Sequence, residues 1–145
     1  MLSEDIAIEI DSISNMDGET TESHIKSYGK RYLKNQKIYI SYNEKMDGID
    51  EPVPSLITLD ENHIVIARRG AVRSTMKFVS REDTRSQYVT SVGTIDLLLH
   101  TNRYCAILRE NSVEIYLDYA VKMNNVDSGN NSVHIMISSF DKCVQ

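Results

Sequence analysis

SVEIYLDYAVKMN, residues 112–124, holds Val113, Ile115, Leu117, Tyr119, Val121 and Met123 at alternate positions, with Glu114, Tyr116, Asp118, Ala120 and Lys122 between them. A period of two over a dozen residues places one apolar and one mostly polar row on opposite sides of an extended chain, so the stretch is a β-strand with one dry face. At roughly 3.3 Å per residue it spans on the order of 40 Å, well beyond the usual five or six residues. Strands of that length belong to strongly coiled antiparallel sheets and above all to barrels.

Working outward from it, the same alternation recurs. Residues 4–14 set Ile6, Ile8 and Ile10 against acidic neighbours, and Asp17-Gly18 then supplies turn chemistry. Residues 21–33 place Ser23, Ile25, Ser27 and Gly29 on one face, so this strand offers the interior small side chains and leaves room there. Lys37–Glu44 follows, and Met46–Pro54, with a glycine and both prolines, reads as the longest loop. Shorter strands are expected at 55–59, 63–69, 72–79, 86–92, 94–100 and 104–108, then the long strand, then 132–140. Turn residues punctuate them at 61–62, 70–71, 81–84, 93, 102, 111 and 128–130. No window keeps a helical period over ten or more residues. About ten antiparallel strands with no helix to cover an open sheet favour an all-β fold, a single closed up-and-down barrel that removes its own edges. A two-sheet sandwich is the other architecture such strands can build.

The totals agree. A chain of 145 residues fits a single domain, with a core over about 4–140, and its 41% hydrophobic and 26% charged residues are ordinary globular values. A formal net charge of −5 argues against a general nucleic-acid partner. Neither a membrane-spanning apolar run nor a signal-peptide pattern is present, so no membrane partner and a cytoplasmic location are expected. Cys105 and Cys143 are too few for a disulfide scaffold and read as free thiols, Cys105 as a small core residue.

Charge comes in blocks. Seven acidic and no basic residues in 1–22 precede six basic and one acidic in 23–45; five acidic in 46–61 precede five basic in 62–81. If consecutive strands pair, these blocks face each other as exposed cross-strand ion pairs, each adding little.

Facing singles out the candidate site. Arg68 shares a face with Ile64 and Ile66, and Tyr42 and Glu44 share one with Ile38 and Ile40, whereas Arg69 and Lys77 point out. A guanidinium turned inward needs a carboxylate or several acceptors, and Glu44 is the nearest match. With Tyr42, Tyr88 or Thr90 adding hydrogen bonds, the set either staples one end of the barrel or grips the carboxylate or phosphate of a small ligand. The four histidines, His24, His63, His100 and His134, show no metal-ligand spacing, so no metal and no cofactor are expected; hydrolase and nucleotide motifs are absent as well.

Several spacings coincide with a known pattern: Glu19 and Glu22 before Gly29, Tyr39-Ile40-Ser41-Tyr42-Asn43-Glu44, Arg68-Arg69-Gly70, Met76-Lys77-Phe78, Tyr88-Val89-Thr90 with Gly93, and Thr101. From about Ile6 to Ile137 the chain resembles the YwiB-like family, small proteins without an established activity found mostly in Gram-positive bacteria. That resemblance implies a calycin-like, lipocalin-like barrel and a cytoplasmic location, and places Tyr42, Glu44, Arg68, Gly70, Thr90 and Gly93 among signature positions. Three functions remain open: a barrel binding a small, partly apolar anion; a structural or interaction protein, as a homodimer; and an enzyme using Tyr42, Glu44 and Arg68 for acid-base work.

Overall fold

The alternating stretches pair in chain order and close on themselves. The computed structural model describes residues 3–46 and 48–140, and the expected Cys143 thiol lies outside them. Ten strands follow one another: β1 (Ser3–Met16), β2 (Glu19–Lys34), β3 (Lys37–Glu44), β4 (Val53–Leu59), β5 (His63–Arg69), β6 (Arg73–Val79), β7 (Asp83–Thr90), β8 (Gly93–Leu108), β9 (Ser112–Met123) and β10 (Val126–Ser139). Each pairs antiparallel with its predecessor, and β1 pairs with β10, giving a closed up-and-down barrel. Asp17-Gly18, Asn35-Gln36 and Asn124-Asn125 all take positive φ, which is how a two-residue hairpin turn matches the twist of its strands.

Two turns expected from composition are bulges instead. Asn102 interrupts no strand: the register of β8 on β9 shifts between Thr101 and Arg103, and β8 runs on to Leu108. The extra residue moves the inward parity from Leu97, Leu99 and Thr101 to Tyr104 and Ala106, a change that mimics a strand break. Likewise Ser128-Gly129-Asn130 lies within β10, where the register shifts between Asp127 and Gly129; the chain turns earlier, at Asn124-Asn125.

The inward rows make the core. Ile8, Ile40, Ile57, Ile64, Leu99, Ile115 and Ile137 are fully inaccessible, and the Phe78 ring packs on Tyr119 with centroids 4.7 Å apart. Each such side chain contributes about 1.5–3 kcal/mol relative to exposure. Outward rows carry Glu9, Asp11, Lys26, Lys30, Arg103 and Lys122, so the polarity is opposite to the apolar outer band of a membrane barrel. Among the described residues no helix is long and apolar enough to cross a membrane.

The charge blocks meet in one place and miss in another. Lys26 pairs with Glu9, Lys30 with Asp5 and Arg31 with Glu4 across β1 and β2. Among the described residues no such ladder forms for the second pair of blocks, because β4 carries no charged residue and the block's acidic residues fall outside it.

β2 is longer than its partner. Only Gly29–Lys34 pair with β3, and Gly29 is where β3 comes closest; a Cβ there would lie 2.0 Å from the Ser41 carbonyl oxygen. Residues 19–28 of β2 lie beyond the β2–β3 ladder, with the Ser27 hydroxyl still donating to the Asn43 carbonyl at 2.9 Å, which leaves a wedge in the wall beside Tyr42 and Glu44.

A small cavity around Arg68, Glu44 and Tyr42

Cross-strand register collects the inward polar residues. Gly29, Tyr42, Ser55, Arg68, Ser74, Tyr88 and Ile95 are successive partners from β2 to β8, so they share one inward row around the wall. Glu44 sits one inward step along β3 from Tyr42. Glycine and serine at three places in this row leave space that larger side chains would fill. A cavity of about 220 Å³ results, lined on its polar side by Arg68, Glu44, Tyr42, Ser12, Ser23 and Asn131 and on its apolar side by Ile10, Ile66, Met76 and Phe78. At ~30 Å³ per molecule that is room for about seven waters. Ser23 is exposed on the overhanging part of β2, so the cavity reaches the surface there.

The three central side chains touch. Nη2 of Arg68 donates to both Glu44 oxygens, at 3.3 and 3.5 Å, and the Tyr42 hydroxyl donates to Glu44 Oε1 at 3.0 Å. One nitrogen straddling two oxygens at these lengths is a looser contact than the two parallel bonds of about 2.7–2.9 Å in a tight guanidinium–carboxylate fork. The remaining donors are barely used: among the described residues Nη1 faces only the Met76 sulfur at 3.9 Å, and Nε is buried with no acceptor. Burial, followed by the adjacent Glu44 charge, pushes the Tyr42 phenol well above its ordinary value despite the opposing Arg68 charge. Tyr42 therefore remains a hydrogen-bond donor at neutral pH.

Tyr88 and Thr90 are placed apart from this trio. Tyr88 keeps the inward parity but packs against the apolar core, outside the cavity wall. Thr90 closes the β7–β8 turn: its hydroxyl donates to the Gly93 carbonyl at 3.3 Å and accepts from the Val92 amide at 3.2 Å. The turn's own unpaired backbone groups claim Thr90, as they commonly claim threonine. Ser23 lines the wall as its inward parity indicated, whereas Ser12 and Asn131 were not singled out, although their parity with Ile10 and Val133 carries the signal.

Gly93 has φ +148° and serves its turn as expected, but Gly70 does not have positive φ; a Cβ there would meet Pro54 Cδ at 3.0 Å. Cys105 is a further correction. It lies opposite Tyr116 on the outward face, half-buried and free, because the bulge at Asn102 reverses the parity its apolar neighbours suggest.

All four histidines acquire carboxylate partners that only cross-strand or turn geometry reveals: His24 with Asp11, His63 with Asp60, His100 with Asp83 and His134 with Glu114. Glu114 collects most. It accepts from His134 Nε2 and the Tyr116 hydroxyl, each at 2.7 Å, and from Arg109, and these bonds hold its carboxyl down at about 2. Among the described residues no group of three or more His, Cys, Asp and Glu is placed to hold a metal ion.

Fold and site together define a class: a closed ten-stranded antiparallel β-barrel with an apolar floor and a small, partly polar cavity around a guanidinium, a carboxylate and a phenol. The chain belongs to the family described as Domain of unknown function (DUF1934), which matches residues 8–135. It is similar to the uncharacterized beta-barrel protein YwiB of Bacillus subtilis (strain 168), with 27% identity over 114 residues, 79% of either chain. The crystal structure of that bacterium's ywiB protein superposes with a TM-score of 0.83 at 24% identity, over 96% of this chain and 94% of the other. The latter likeness shows a shared fold; the resemblance read from the motifs is borne out.

Proposed function

We propose that this protein is a small binding barrel, of the calycin-like or lipocalin-like kind, that takes a small, partly apolar carboxylate or similar anion from the cytoplasm. The observation that carries the reading is the state of Arg68 beside a cavity of about 220 Å³. Its guanidinium is partly sequestered, holds Glu44 loosely, and keeps Nε buried without an acceptor. A buried donor left unpaired costs about 1–3 kcal/mol, which an arriving carboxylate recovers. Ile10, Ile66, Met76 and Phe78 give the ligand's apolar portion its wall. The charged exterior supports a protein that stays in the cytoplasm, and the protonated Tyr42 favours holding a ligand over acting as a base.

The Arg68–Glu44 contact itself favours a second reading, in which the pair only staples one end of the barrel. Straight-chain monocarboxylates from acetate to octanoate separate the two by thermal shift. A binding barrel gains about 2.7 kcal/mol at a hundred times Kd, or roughly 10 °C for a chain of this size, with an optimum at the length that fills the cavity. No shift with any acid in the series returns the trio to a purely structural role.

A further inference from the structure

Where β6 leaves β7, a second space opens on the outer surface. Among the described residues the two strands keep ladder register only at Arg73 with Val89 and Ser74 with Tyr88. Beyond that point side chains bridge the seam: the Ser86 hydroxyl donates to the Thr75 carbonyl at 2.7 Å, and Thr84 does the same to Lys77. The splayed seam forms a cleft of about 880 Å³, within the ~300–1,000 Å³ usual for small-molecule sites.

Its lining is strongly basic. Arg69, Arg73 and Arg85 line it from three strands, Arg68 and Ser74 lie on the inward row beneath, and Asp96 is the one carboxylate, held by Gln87 Nε2 at 3.0 Å. Arg69 and Arg73 are direct cross-strand partners, so two like charges sit side by side, an arrangement that lowers sheet stability. No ion pair joins Arg69, Arg73 or Arg85 to a carboxylate among the described residues, while β2 pairs Lys26, Lys30 and Arg31 in turn. This concentration of cations occurs in a chain of net charge −5. Ser74, only 7% exposed, lies on the inward row at the base of the cleft, and its buried hydroxyl has no partner among the described residues.

We infer that this cleft is a binding site for a small molecule carrying two or more oxyanion groups, held by Arg69, Arg73 and Arg85 with Ser74 at its base. Guanidinium forks match phosphate and carboxylate geometry, and three of them on one wall suit an ion with several such groups. The cleft shares Arg68 with the interior cavity, but Arg69, Arg73 and Arg85 line only the cleft, so variants of those three test it apart from the cavity's ligand.

Isothermal titration of the full chain with pyrophosphate and with citrate, at about 50 mM salt, is the test; the two probes separate phosphate from carboxylate as the preferred oxyanion. The expected result is sub-millimolar binding of at least one, weakened at least tenfold in Arg73→Ser and in Arg85→Ser. Arg73→Ser is also expected to melt at or above the wild-type temperature, since it relieves the Arg69–Arg73 repulsion, and to keep whatever monocarboxylate response the wild type shows. Absence of binding by both anions below about 1 mM, or equal binding by the folded variants, overturns the assignment.

Discussion

Replacing Arg68 by Met, Glu44 by Gln, and both together forms a cycle that reads the interior pair directly. The pair is mostly out of water, with side chains 17% and 8% exposed. Removing one partner of a fully buried pair costs about 3–5 kcal/mol. The long contact and the partial exposure of Arg68 reduce that to about 2 kcal/mol for each single variant, or roughly 8 °C in Tm at this chain length. In Arg68→Met the Glu44 carboxylate keeps only the Tyr42 hydroxyl; in Glu44→Gln the guanidinium keeps a neutral acceptor. With both charges gone no ion is stranded, and the double variant is expected to lose only about 1 kcal/mol, a coupling of about 3 kcal/mol. Urea melts with unchanged m-values are the assay, since a changed slope signals an altered ensemble. Additive losses, a double variant near 4 kcal/mol below wild type, would refute the pairing.

Other substitutions probe the surrounding structure. Thr101 is fully inaccessible and its hydroxyl has no partner among the described residues, so Thr101→Val is expected to raise stability by about 1 kcal/mol in the same melts; a loss of that size would show the hydroxyl to be satisfied. Gly29→Ala puts a methyl group 2.0 Å from the Ser41 carbonyl oxygen, and soluble yield or Tm is expected to fall sharply, by several kcal/mol; a wild-type melt would show that β2 and β3 separate freely. Glu114 titrates in the folded state at about 2, below its unfolded value, so its network adds stability above about pH 4.5 that is lost as pH falls through 2. Glu114→Gln is expected to flatten the stability slope between pH 5 and pH 3, and an unchanged slope would assign the acid sensitivity elsewhere.

What could be read in advance was whatever depends on parity within one strand. Tyr42, Glu44 and Arg68 face inward because each shares alternation with two isoleucines, and that local signal survives into the barrel. Partnership across strands is set by register, which alternation leaves undetermined by one residue or more. Hence the histidine–carboxylate pairs were invisible: Asp11 meets His24 and Asp83 meets His100 only once hairpin lengths are known. Cys105 was misplaced for a related reason, since one extra residue at Asn102 turns every later side chain of β8 over. Thr90 was drawn off by a turn whose backbone needed it. The basic block of 62–81 lacked its expected partners because the acidic residues before it fall in loops around an uncharged β4, and that mismatch leaves the β6–β7 cleft positive.

Native mass spectrometry of protein purified without detergent, with solvent extraction of whatever travels with it, tests the binding barrel most directly. The double variant Arg68→Met with Glu44→Gln is the control, because it removes the grip while leaving no buried ion unpaired. A discrete extra mass on the wild type that is missing from the folded double variant is the predicted result, and extraction then gives the ligand's class. A bare wild-type mass that stays bare after the monocarboxylate series is added contradicts the binding role and leaves the Arg68–Glu44 contact as a staple of the barrel.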